Sequence, residues 1–103
     1  MYELEYLPAA QRDMVEAVRY ISEELRNTVA ANQLAAELIK AGDSILDFPY
    51  ANPVYTPARP LKYEYRKILI RNYLMFYRVD EGKRLVSVAR VVYARRNYES
   101  LLE

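Results

Sequence analysis

Tyr63 to Tyr98 reads YEYRKILIRNYLMFYRVDEGKRLVSVARVVYARRNY, in which apolar runs of strand length are interrupted twice by turn residues. The runs Glu64 to Ile70, Tyr73 to Asp80 and Arg84 to Tyr93 are rich in β-branched and aromatic side chains, which pack well on a pleated surface, and they predict three consecutive strands. Arg71-Asn72 and Glu81-Gly82 mark the turns, Gly82 because a positive φ costs it nothing sterically. This order is an antiparallel meander. With two residues in each loop, Arg66 lies opposite Tyr77 and Tyr73 opposite Arg90, so both arginines and both tyrosines share one face. A three-residue second loop moves Arg90 to the other face, because a one-residue slip inverts every side chain.

The same stretch carries nine Lys or Arg against three acids, a net +6, while the rest of the chain carries six basic and eleven acidic residues, a net −5. The total of +1 conceals that separation. Such a basic stretch suits a face that meets phosphate or nucleic acid, and equally a solvated sheet face.

Upstream, Tyr2, Leu4 and Tyr6 alternate with Glu3 and Glu5, the pattern of a short half-buried strand. Pro8 presets the first turn of a helix over Pro8 to Leu25, with an apolar stripe of Met14, Val18, Ile21 and Leu25. Asn27 or Thr28 caps a second helix whose stripe is Ala31, Leu34, Ala35, Leu38, Gly42, Ile45 and Leu46, and Pro49 stops it. The connection is short, so the helices form an antiparallel hairpin, their small residues allowing close approach. Their acids read as solvated outer faces, with Asp13 and Glu16 available to rim a cleft. From Phe48 to Lys62 four prolines predict an irregular, extended surface loop.

The expected fold is α+β: an N-terminal strand, an antiparallel two-helix hairpin, then a three-stranded antiparallel meander forming one sheet. A chain of 103 residues, 52% hydrophobic and 28% charged, makes a single globular domain over residues 1–103. One sheet face takes the helix hairpin. The other has no element left to cover it, so an apolar, basic surface awaiting a partner is expected. Without Cys or His, disulfides and thiolate metal sites are excluded and the commonest metal ligand and general base is missing. No metal and no cofactor are expected. No signal peptide or membrane-spanning run is apparent, and a cytoplasmic location is the expectation.

Cleavage of RNA by its own 2′-hydroxyl requires a proton acceptor, cations against the crowded phosphate and a proton donor to the leaving oxygen. Arg66 and Arg90 suit the phosphate through planar, bidentate donors. Tyr93 or Tyr98 would exchange protons if neighbouring cations lowered a phenol pKa that is ordinarily about 10. Each has a structural alternative: cross-strand packing for the strand tyrosines, an ion pair for Arg66, an anchor for the C-terminus in Tyr98.

The segments YELEYLP, NTVAANQLAAEL, Leu46-Asp47-Phe48-Pro49, YRKILIRNYLMFYRV and RVVYARRNYESLL, in this order, resemble the RelE/ParE superfamily of bacterial type II toxin–antitoxin toxins. The resemblance covers nearly the whole chain. It implies a compact α+β toxin, wrapped and neutralised by a small cognate antitoxin protein. RelE-like members cut mRNA on the ribosome, and ParE-like members poison DNA gyrase. The first activity, a ribosome-dependent mRNA endonuclease that inhibits translation, is the leading expectation, and gyrase inhibition the alternative. By this resemblance Arg66 matches a strand arginine of the ribonuclease branch, Arg90 a second basic position, and Tyr98 the C-terminal tyrosine, while Tyr93 stands where many relatives carry histidine. The expected catalytic set is Arg66, Arg90, Tyr93 and Tyr98. Lys62, Lys67, Arg71, Arg95 and Arg96 form the expected nucleic-acid-binding set.

Overall fold

The computed structural model describes residues 1–102. Its elements in chain order are β1 (Glu3–Tyr6), α1 (Pro8–Arg19), α2 (Thr28–Asp47), β2 (Arg66–Ile70), β3 (Tyr73–Asp80) and β4 (Leu85–Tyr93), with a π-helical turn at Tyr20–Glu24 and a 3-10 turn at Glu99–Leu101. Pro8 opens α1 with its fixed φ, and the side chain of Gln11 donates to the Tyr6 carbonyl. Asn27 caps α2 by accepting from the Ala30 N–H at 3.0 Å. The π turn takes the place of the last part of the single helix expected to Leu25. Met14, Val18 and Ile21 pack on the core, whereas Leu25, beyond the extra residue of that turn, is exposed.

The strands form one sheet in the order β1-β4-β3-β2, with β1 parallel to β4 and the remaining pairs antiparallel. The α+β class and the meander are as expected. The first turn has two residues, and Arg66 lies opposite Tyr77. The second differs: Asp80 pairs with Leu85, so Glu81 to Arg84 form a four-residue loop, and the positive φ falls at Arg84 rather than at Gly82. That loop is closed by the Asp80 side chain, which accepts from the Lys83 N–H at 3.0 Å. Further along, Tyr77 pairs with Val88 but Phe76 pairs with Arg90, leaving Ala89 as the extra residue of a β-bulge. The bulge inverts β4 from that point. Arg90 therefore points away from the face of Tyr73, Tyr77 and Arg66, correcting the register in which all four share a face.

On the helix side, Leu34, Leu38 and Ile45 of α2 pack on Met75, Tyr77, Val86 and Val88, all essentially inaccessible. Gly42 lets α2 descend onto β1, where Tyr6 and Leu4 occupy the space a Cβ would need. The other face is not bare, contrary to expectation. Leu74, Phe76, Ala89 and Val92 are covered by Tyr55 and Leu61 of the proline-rich loop, Tyr65 just before β2, and Tyr98, Leu101 and Leu102 in and beside the C-terminal turn. Val54 bridges to Arg66, holding that loop along the edge of β2. Among the described residues, a polar cleft toward the β3–β4 loop and a smaller one beside it stay open on this side.

Candidate functional site

Arg66 begins β2 at the sheet edge and is already engaged. Its Nη1 donates to the carbonyls of Asn52 at 2.7 Å and Tyr50 at 3.3 Å, and its guanidinium lies 5.0 Å from the Tyr50 ring centroid. The Tyr50 and Tyr2 hydroxyls both donate to Glu81 Oε1, at 2.6 and 2.7 Å. Hydrogen bonding to that carboxylate holds the Tyr50 proton and pushes its pKa up to about 12, and the same bond draws the Glu81 carboxyl below its ordinary range. Tyr77, buried beneath, donates to the Pro49 carbonyl at 2.7 Å, and burial raises its pKa. Arg66 and Tyr77 thus fasten the segment after α2 to the sheet.

Arg90 has still less freedom. Its Nε and Nη2 donate to the two oxygens of Asp13 at 2.7 and 2.9 Å, its Nη1 reaches the Leu101 carbonyl at 3.4 Å, and Asp13 also accepts from the Val91 N–H at 2.9 Å. The side chains are only 19% and 11% exposed, and the Asp13 hydrogen bonds raise the Arg90 pKa further. Asp13 is therefore an inward anchor that ties α1 to the bulged strand, not the rim of a cleft.

Tyr98 packs its ring on Phe76 at 5.2 Å and on Tyr55 at 5.9 Å, and Tyr93 stands edge-on to Tyr73 at 5.9 Å. The four residues of the expected catalytic set are thus divided, Arg66 and Tyr93 on the helix side of the sheet and Arg90 and Tyr98 on the other. Burial raises the pKa of Tyr55 and Tyr73, the opposite of what a phenol acting as base requires.

The expected nucleic-acid set is likewise divided. Arg71 is held by α2, donating twice to Glu37 at 2.8 Å, an exchange that lowers the Glu37 pKa and raises its own. Lys62 and Lys67 each lie 5.4 Å from a ring centroid, of Tyr63 and Tyr55 respectively. Arg95 and Arg96 follow β4 beside the β2–β3 turn, where the Ala94 N–H donates to the Asn72 carbonyl. Both are exposed, and among the described residues neither side chain has a partner.

Arg78 escaped the reading of the sequence. It pairs with Ser87 on the second face, half-buried, and its guanidinium sits 3.9 Å from the Tyr63 ring centroid. It separates a cleft of about 510 Å³ from a smaller one of about 310 Å³. Alternation from Phe76 in β3 would have placed it on this face, but its importance depends on which other cations are neutralised, and that is decided by tertiary contacts.

A family model described as the ParE toxin of the type II toxin–antitoxin system parDE matches residues 4–98. This chain belongs to the ParE toxin family. Among solved structures, the isolated E. coli RelE toxin is similar with a TM-score of 0.56 and 23% identity, over 98% of this chain and 92% of that one. A chain of the intact E. coli RelBE toxin–antitoxin complex is similar with a TM-score of 0.54 and 22% identity, over 93% of this chain and 100% of that one. At these identities the likeness is one of fold. No curated protein matches the sequence. In this ParE-family toxin, then, cations and rings are spread over both faces of the sheet, and among the described residues no group of three or more acidic side chains is placed to hold a metal ion. Among the described residues, no helix is long and apolar enough to cross a membrane.

Proposed function

We propose that this ParE-family toxin acts by binding rather than by cutting RNA, as a non-enzymatic inhibitor of DNA gyrase that a cognate antitoxin neutralises. The observation that carries this reading is the engagement of Arg90. A guanidinium whose three nitrogens are each bonded, to Asp13 or the Leu101 carbonyl, and whose charge faces a largely buried carboxylate, is poorly placed to stabilise a developing phosphate charge. Arg66 is tied through Nη1 to two carbonyls on the helix side of the sheet and Tyr98 is packed by its ring on the other, whereas a ribosome-dependent mRNA endonuclease needs both a cation and a proton carrier at one phosphate. The family match adds weight, because poisoning of gyrase is what resemblance to the ParE branch implies. Arg95 and Arg96, exposed beside Tyr93, supply a basic surface for the enzyme or its DNA.

The test is a supercoiling assay with purified gyrase beside a translation reaction programmed with a defined mRNA. Loss of supercoiling with intact message is the expected result. Unimpaired supercoiling together with ribosome-dependent cuts at codon positions would overturn this reading in favour of the endonuclease.

A further inference from the structure

Two cations that line the larger cleft are without a polar side-chain partner among the described residues: Lys83, exposed in the β3–β4 loop, and Arg78, half-buried on the second face of the sheet. Arg66 bonds two carbonyls and Arg90 bonds Asp13, but Arg78 meets only the ring of Tyr63, with no hydrogen-bond or ion-pair partner among the described residues. A half-buried guanidinium has lost part of its hydration, and a ring face replaces that with less than a carboxylate does. Tyr63 is 41% exposed and belongs to the irregular segment before β2, so its ring is a cover rather than a core element. The clefts on its two sides share Arg78 as their common wall.

The surroundings select the ligand. Glu5, Glu64, Asp80 and Glu81 also line the larger cleft. Glu5 accepts from Ser87 at 2.6 Å, Asp80 accepts from the Lys83 N–H, and Glu81 accepts from Tyr2 and Tyr50. A nucleic-acid strand would carry its phosphates past four carboxylates that outnumber the cleft's three cations, Arg66, Arg78 and Lys83, and like charges repel it. A polypeptide can present a single carboxylate to Arg78 and place neutral or basic side chains beside Glu64 and Asp80.

We propose that the Arg78–Tyr63 groove is a docking site for an acidic side chain of a partner polypeptide, the carboxylate displacing or flanking the Tyr63 ring to form a bidentate pair with Arg78. The partner is the cognate antitoxin, so the proposal rests on the pairing inferred above. It assigns the electrostatic contact to Arg78 instead of Arg66, which is tied to the Asn52 and Tyr50 carbonyls, and Arg90, which is paired with Asp13.

Competition for the labelled product of the adjacent antitoxin gene tests this, using the full-length toxin. Arg78→Gln should weaken binding by about tenfold or more and flatten its salt dependence, with an unchanged melting temperature. Tyr63→Leu, which uncovers the groove and keeps the arginine, should bind as tightly as wild type or more tightly. Equal affinity of Arg78→Gln and wild type would overturn the docking site while leaving the toxin–antitoxin pairing intact. Failure of the wild type itself to bind overturns both. Should Arg78→Gln bind antitoxin normally but lose affinity for a DNA duplex, the groove is a nucleic-acid site and the proposal fails.

Discussion

Asp13 shows how much one side chain can decide when its neighbours are fixed. Both of its oxygens are occupied by Arg90, and one also takes the N–H of Val91 just past the bulge, so a carboxylate on α1 holds β4 where its register changes. Removing one partner of a largely buried pair leaves the other charge uncompensated. Asp13→Asn is therefore expected to cost about 3 kcal/mol in urea unfolding, and the double variant Asp13→Asn/Arg90→Gln to recover part of it. A single-variant loss below about 1 kcal/mol would show the pair to be no stronger than a surface contact. Tyr50 offers a second measurement at this scale. Because its pKa is raised to about 12, the stabilisation from its bond to Glu81 is full below the ordinary 10 and is lost as pH rises through 12. The Glu81 carboxyl is lowered from 4.5, so its share is present above that value and lost as pH falls through the folded-state pKa. Phenolate absorbance, with Tyr50→Phe as the difference reference, should place Tyr50 near 12 in the wild type and closer to 10 in Glu81→Gln. An unmoved midpoint in that variant would assign the shift to another cause.

Gly42 is where two elements come closest, because a Cβ there meets the Tyr6 hydroxyl and its ring carbon and the Leu4 side chain. Alanine at a helix interior gains about 1 kcal/mol in propensity, whereas overpacking against a rigid ring costs about 1–3 kcal/mol, so the net expectation for Gly42→Ala is a modest loss. Tyr6→Phe removes the nearest clashing atom. If the loss comes from that contact, Gly42→Ala in the Tyr6→Phe background should be neutral or stabilising, and equal losses in both backgrounds would reject the explanation. At this level much was legible in the sequence. The stripes through Met14 and Leu34, the Asn27 cap, the Pro49 stop and the pairing of Arg66 with Tyr77 all follow from local rules. The bulge at Ala89 does not, because an alanine in a run of strand formers carries no mark of an extra residue, and one such residue moved Arg90 to the other face. Nor did composition reveal that the C-terminal turn folds back, since Leu101 and Leu102 show no periodicity by themselves. The candidate site was correspondingly harder to read than the fold. Arg66 and Arg90 were noticed for their charge, but their partners Asn52, Tyr50 and Asp13 come from distant parts of the chain.

Across the whole molecule, the basic stretch and the acidic remainder that appear separate in sequence are partly recombined in space. Arg71 meets Glu37 and Arg90 meets Asp13, each joining a base of the stretch to an acid on a helix. The +6 of the sheet stretch therefore overstates the field it presents, and attraction for a polyanion comes chiefly from the cations without acidic partners. Two such positions lie apart from each other: Arg78 in the groove of the second face, and Arg95-Arg96 beyond the end of β4. If the groove receives the antitoxin and the end of β4 meets the target, the two activities are separable by substitution. Arg95→Ala/Arg96→Ala should lower growth inhibition on induction and weaken inhibition of supercoiling by about tenfold or more, because two exposed charges are lost from a contact made in water. Since neither arginine has a side-chain partner among the described residues, the melting temperature should change by no more than a surface substitution allows, about 0.5 kcal/mol in stability. Antitoxin affinity should be retained, the inverse of the pattern expected for Arg78→Gln. Full toxicity in the double variant would remove this end of the sheet from the target contact, and a fall in antitoxin affinity equal to that of Arg78→Gln would mean that one continuous surface serves both partners.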